Sequence, residues 1–413
     1  GIVVGSWMPW VDPLRVGPNY LSPHVQGFLV MGLPNILFSA AIIFAVAVIQ
    51  RSTMASFITA IVLFVGYSIA SSSMEDMDNQ TLAAMLDPFG TTAMSEATQY
   101  WTVDEKNLAA LPVSGLVLWN RLLWIGVSAL VFLFGYSRFS FTDRVQKAKA
   151  RVAENDASST AVAAPLPKVA LHFDRSALRR QWSTLYRTEL VGILKSTPFI
   201  IIMALGLAQL FTSLSFVTSM YGNTTYPVTY SVVDMISGNI VIYVMIIVVF
   251  YAGQLIWKER DPKFDGIINA LPMATRTGLL AKLAALITVV FVVHLFAVGA
   301  GMTTQLLNGY TRLEPMVYLT YFVVPGTLFF AGWAAVALLV HVLVNNKYLG
   351  FFVFIVLFIL NTFAWTLVDV ESNLVLFNGS PGLRYSDMNG FGPYLKNWMF
   401  FKVYWILFAG LIV

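Results

Sequence analysis

The sequence predicts an all-α fold: a polytopic helical membrane protein with about nine transmembrane helices. Three observations predict it. Of 413 residues, 58% are hydrophobic and only 11% are charged, against about 25% charged in soluble domains. Several apolar runs reach about 20 residues, the length that crosses a hydrocarbon core of roughly 30 Å. The runs are continuously apolar rather than alternating, which argues against a β-barrel.

The spans are expected at 26–49, 54–73, 113–136, 197–217, 238–257, 279–302, 318–343, 349–368 and 397–413. The first follows a Trp- and Pro-rich loop, Gly5 to His24. The last is still apolar at Val413, so both ends are expected to belong to a longer chain. Lys/Arg asymmetry orients the set. Eleven basic and five acidic residues lie between Arg138 and Lys195, which reads as cytoplasmic. Between Met74 and Leu111, seven acidic residues face the single Lys106, which reads as external. Threading from these anchors puts 257–278 and 344–348 inside, and 218–237, 303–317 and 369–396 outside.

The basic stretch has two parts. Ala153 to Pro167 is Ala/Ser/Pro-rich, the composition of a linker. From Ser176 to Lys195, Leu178, Trp182, Leu185, Tyr186, Glu189 and Ile193 alternate with Arg179, Arg180 and Arg187, which suits a helix lying in the membrane interface. Ser196-Thr197-Pro198 then starts the next span. The basic residues concentrate here, so the net charge of +4 does not point to nucleic acid. The chain has no cysteine, which excludes disulfides, thiolate chemistry and cysteine-ligated zinc.

Val48–Val65 aligns with Val342–Ile359 with six of eighteen positions identical, an internal repeat. Pro34-Asn35-Ile36-Leu37-Phe38 resembles Pro325-Gly326-Thr327-Leu328-Phe329, and Arg121-Leu122-Leu123-Trp124 resembles Lys402-Val403-Tyr404-Trp405. Spans one to three then repeat as spans seven to nine. The organisation expected is 1–139, the last three spans of a first unit; 140–175, a linker; and 176–413, a six-span second unit that begins with the interfacial helix.

The most informative stretch runs from Trp257 to Pro272. It is short and charged and lies between two long apolar runs. Asp261 can cap a helix and Pro262 suits its first position. Phe264, Ile267, Ile268 and Leu271 fall at i, i+3, i+4 and i+7, one face of that helix. A helix this short is marginal alone in water, so a partner's groove is its natural place. The bland alternative is a solvated loop. Glu259, Arg260, Asp261, Phe264, Ile267, Ile268 and Leu271 are the candidate coupling residues. On the outside, Tyr385, Ser386, Asp387 and Asn389 lie in a Gly-rich loop with a candidate role in gating or docking.

Other polar residues in spans have bland readings. His294 and His341 read as neutral histidines bonded to a neighbouring helix or near the interface, rather than proton relays. Lys402 and Arg121 are expected to snorkel to the outer interface. Gln209, Asn239, Gln254 and Asn361 are expected to bond between helices.

The second half resembles a type-2 ABC transporter permease. The resemblance rests on Leu185-Tyr186-Arg187-Thr188-Glu189-Leu190 before Pro198, and on Lys258-Glu259-Arg260-Asp261. It rests equally on Ile267-Ile268-Asn269-Ala270-Leu271-Pro272 and Ala281-Lys282-Leu283. Asp261-Pro262 departs from the family, where many members continue with Glu and Gly-Thr. Further strings are similar to a bacterial subgroup with two permease units in one chain: Leu86-Asp87-Pro88-Phe89-Gly90, Tyr100-Trp101-Thr102, Phe250-Tyr251-Ala252-Gly253, Val344 to Gly350, and Tyr385-Ser386-Asp387-Met388-Asn389-Gly390. Many of its members continue into a zinc aminopeptidase domain, but no His-Glu-x-x-His occurs here.

The resemblance implies a permease of an ATP-driven exporter in the bacterial inner membrane. Its partners would be two cytoplasmic ABC ATPase subunits, with a peptidase domain or periplasmic subunits outside. The chain has no Walker loop sequence, so ATP and Mg would be bound by the partner. No catalytic, cofactor-binding or metal-ligating residue is assigned to this chain. Two other readings stand beside it. One is a membrane anchor for an external zinc aminopeptidase, which a peptidase sequence downstream would favour. The other is a secondary transporter, which needs no ATPase.

Overall fold

The structure is a computed structural model. It describes residues 5, 7, 21–51, 53–75, 79–140, 174–220, 223–264, 266, 268, 270, 274–367 and 372–412. Among these the chain is almost wholly helical, with a two-residue antiparallel pair, β1 (Ser219–Met220) with β2 (Asn223–Thr224). Among the described residues eight helices are long and apolar enough to cross a membrane, so the chain is an all-α multi-pass membrane protein. The second expected span, 54–73, is also helical, Thr53–Glu75.

The chain divides into two compact units at Ala177/Leu178, with Phe64–Ala70 belonging to the second. In the first unit, α1 (Leu21–Gln50) packs along α6 (Gly115–Arg138). The two backbones come close: a Cβ added at Gly135 would stand 3.0 Å from Ala45 Cα, the small-residue contact that lets membrane helices approach. α2 is the Thr53–Glu75 helix. Between α2 and α6 the loop folds into α3 (Gln80–Leu86), α4 (Thr91–Thr98) and α5 (Val103–Leu108). α3 and α4 cover the start of α6 through buried Ala84, Ala93 and Val117. α5 starts with a capping box between Thr102 and Glu105.

The second unit contains the interfacial helix α7 (Arg175–Leu194), which begins just ahead of the unit boundary, and the spans α8 (Thr197–Leu214), α9 (Thr229–Arg260), α10 (Thr275–Leu307), α11 (Pro315–Leu343), α12 (Lys347–Leu367) and α13 (Tyr394–Ile412). α9 is the axis of this unit and packs on α8, α10, α11 and α12. Its Val232, Ile236, Val244, Ile247, Val248 and Ala252 are fully buried. α9 starts nine residues before the expected span. Asp234 dilutes hydropathy there, yet Val232, Val233 and Ile236 beside it are core residues, so the helix continues past it.

The two units share features at matching places. Each carries a π-helical turn just before a proline: Phe28–Gly32 before Pro34 in α1, and Tyr318–Val323 before Pro325 in α11. A proline inside a helix removes one backbone bond and crowds the carbonyl four residues back. A widened turn accommodates that.

Candidate functional site

At its C-terminal end α9 presents four consecutive charged residues, and each one binds a different element. Lys258 is ion-paired with Glu189 of α7. Glu259 accepts from Lys282 Nζ of α10 at 2.7 Å. Arg260 donates from Nη1 to the carbonyl of His341 and from Nη2 to that of Val342, both at 3.0 Å. Asp261 accepts from Lys347 Nζ at the start of α12 at 3.3 Å. Successive helix positions point about 100° apart, so four in a row reach round the whole helix. Arg260 has the most demanding geometry. The last carbonyls of a helix lack intrahelical partners and carry the negative end of its dipole, and the planar guanidinium satisfies two of them on α11 at once. It also lies 5.4 Å from the Trp257 ring centroid.

This arrangement corrects the expected role of Asp261. Asp261 keeps helical angles, its N–H donates to the Trp257 carbonyl at 2.8 Å, and it is the C-cap of α9 rather than the N-cap of a new helix. The carboxylate is thereby directed to Lys347. The chain then turns through Lys263, which has φ of +60°. Helical bonding resumes with Ile268 N–H to Phe264 O at 3.0 Å and Ala270 N–H to Gly266 O at 3.2 Å. Phe264 is 55% exposed and Ile268 is half-buried. Ile267 and Leu271 lie outside the described residues.

Buried beside this hub is His341. Both its ring nitrogens lack a hydrogen-bond partner among the described residues. Phe351 lies edge-on at 4.8 Å, and a Cβ at Gly350 would come within 2.5 Å of Nδ1. His294 Nδ1 bonds the Val290 carbonyl of its own helix at 2.8 Å, not a neighbouring one. Asn239 accepts from Ser213 of α8 at 2.8 Å, an interhelical bond. Asn361 instead exchanges two bonds with the Phe377 backbone in the 372–393 loop.

At the opposite end of the second unit, Tyr385 packs against Tyr321 and Phe391 with ring centroids 6.2 and 5.2 Å away. Tyr321 Oη donates to Asp234 at 2.9 Å. The loop tip is closed by Ser386 and Gly390, which exchange backbone bonds at 2.9 and 2.7 Å. Asp387 and Asn389 are exposed on the tip. Burial and then the Asp387 and Glu314 carboxylates push the Tyr385 phenol up. The four predicted loop residues therefore sit together, on an anchor of Asp234 and Tyr321 that the sequence reading missed. An acidic residue at a helical position inside an apolar run was the available signal.

Neither buried cation snorkels. Arg121 is 4% exposed. Its Nη1 donates to Asn35 Oδ1 at 3.0 Å and its Nε to Asn120 Oδ1 at 2.9 Å; Nη2 reaches the Pro88 carbonyl at 3.4 Å. Lys402, equally buried, donates to the Asn378 carbonyl at 2.9 Å and lies 5.3 Å over the Phe329 ring. Three residues on, each unit has a tryptophan bonded to the same kind of loop: Trp124 to Met85 O and Trp405 to Asn373 O, both at 3.1 Å. Asparagine side chains and the Pro88 carbonyl around Arg121, and the Asn378 carbonyl at Lys402, replace water, so the cations stay inside.

Comparison with protein-family models, with curated proteins and with solved structures finds no match.

Proposed function

We propose that the chain is the permease of an ATP-driven exporter, built from type-2 ABC permease units. The observation that carries this reading is the hub. Residues 258–261 link the end of α9 to α7, α10, α11 and α12. A force applied just beyond them reaches four helices through short polar contacts. The next apolar side chain, Phe264, is left exposed, where a soluble ATPase subunit can grip it. Closure of two such subunits on ATP would then rock the helices and open the far side, where the Tyr385–Asn389 loop lies. The chain itself makes and breaks no covalent bond in this scheme; ATP and Mg stay with the ATPase.

The test is capture of the intact tagged chain from membranes, with photolabelling of co-purifying subunits by azido-ATP. The expected result is a labelled partner that is lost with Phe264→Asp. A charge driven into an apolar groove costs several kcal/mol unless paired, and anchors at the centre of an interface dominate binding. Lys263→Ala should retain the partner. A wild-type chain that brings down no ATP-labelled subunit, or Phe264→Asp that keeps it, defeats the proposal.

A further inference from the structure

We propose that the N-terminal end of α12 parts from α9 and α11 in a second arrangement of the hub, and that the His341 ring biases the junction toward parting. The inference rests on the geometry beside residues 258–261 and stands whether or not an ATPase grips Phe264. His341 is fully buried, and both its ring nitrogens lack a hydrogen-bond partner among the described residues. A neutral imidazole carries one donor and one acceptor, and nearly all buried polar groups are bonded. Here glycines crowd the ring instead. A Cβ at Gly253 of α9 would stand 3.1 Å from Cε1, and one at Gly350 of α12 would stand 2.5 Å from Nδ1. Backbone that close leaves no room for another polar group on those two sides. Phe351 of α12 closes a third, edge-on at 4.8 Å. The junction is tight in shape and incomplete in hydrogen bonding. His341 lies two residues from the end of α11, so water reaches the ring once α12 parts.

The part that moves is α12. Arg260 fastens α9 to the end of α11 by two bonds at 3.0 Å, one of them to the His341 carbonyl itself. α12 is tied to α9 at this end by Lys347 to Asp261 at 3.3 Å, and the Asp261 side chain is 53% exposed. An exposed pair of this kind contributes little. Only 17% of the apolar stretch of α12 is buried, against 61% in α9 and 50% in α11. Its other end is anchored, because Asn361 exchanges two bonds with the Phe377 backbone. Between α11 and α12 lie three residues, Val344 to Asn346, of which Asn345 and Asn346 are exposed. They are the hinge.

The experiment measures a distance in the full chain, purified alone and returned to vesicles. The sequence has no cysteine, so Leu280→Cys on α10 and Leu349→Cys on α12, both exposed, each take one spin label. Pulsed electron resonance should give two label separations, the longer one from the parted junction. No ATPase is present, so failure of the exporter reading would leave this result standing. His341→Leu removes the unmet nitrogens and should cut the longer population about ten-fold, the scale of one buried polar group left unpaired. His341→Gln, still polar, should keep it. A single separation with His341 in place overturns the proposal, and that measurement needs no change at the ring. Two separations whose ratio His341→Leu leaves unchanged overturn it as well. So does a His341→Gln chain that loses the longer separation as the leucine variant does.

Discussion

Gly90 and Arg121 occupy space that admits no third group: a Cβ built on Gly90 would stand 2.0 Å from Arg121 Nη2. Gly90 also has φ of +72°, a left-handed conformation that costs other residues roughly 1–2 kcal/mol. Gly115, with φ of +53°, has nothing within 4 Å of its would-be Cβ. Gly115→Ala should therefore lose only the conformational term. Gly90→Ala should lose that and the guanidinium's bonds as well, about 3 kcal/mol or more. Thermal unfolding of the two variants in detergent separates the terms; equal losses would mean that Arg121 moves aside freely.

Lys402→Met keeps the length of the side chain and removes the ammonium from the Asn378 carbonyl. A buried acceptor left without its donor costs about 1–3 kcal/mol. The variant should unfold at lower temperature, and proteolysis within 372–393 should quicken. A snorkelling lysine would give no change, so an unaltered melting curve would refute the buried contact.

Arg260→Lys tests the hub. One ammonium does not reproduce the fork that meets the carbonyls of His341 and Val342 together. Losing one charge-assisted bond costs about 1.5–3 kcal/mol. Hydrogen exchange at the end of α11 should rise in the variant while exchange in the first unit stays the same. Lys263→Ala, on the exposed turn, is the silent control.

Asp87 sets an acid limit on the first unit. Burial pushes its carboxyl up, but hydrogen bonds from the Thr92 amide, the Thr91 hydroxyl and the Phe89 amide outweigh it. The net result is a group held below the ordinary 3.8 of an aspartate. A folded value below the unfolded one stabilises the fold above the unfolded value. That contribution is lost as pH falls through the folded value. Stability from this group should be level from pH 7 to about 5 and fall below about 4. Asp87→Asn should be less stable at neutral pH and should show a shallower acid decline. A decline identical to the unsubstituted chain would remove Asp87 from the account.

The spans were legible because bilayer thickness imposes one length on every crossing helix, and apolar runs record that length directly. The paired prolines, Pro34 and Pro325, and the paired cations, Arg121 and Lys402, were legible as repeated strings. Their environment was not. Arg121 takes its partners from Asn35 on α1 and from Pro88 in the loop after α3, and Lys402 from Asn378 in the 372–393 loop; periodicity does not say which of these meet. A hydropathy window reads a buried cation as a cost to be relieved by water and has no means of seeing a carbonyl folded over it.

The segment after α9 shows the same division. Its charge, its proline and the spacing of Phe264 and Ile268 follow from the sequence alone, since composition and helical period are local properties. What tertiary structure decided is where each charge goes. Asp261 has a strong local preference for an N-cap, but α9 stays helical through it and Lys347 receives its carboxylate. Glu259 and Arg260 are directed inward to Lys282 and to the last carbonyls of α11. Local preferences of this kind amount to about 1 kcal/mol. Contacts between helices far apart in sequence sum to more, and they chose the geometry of the site.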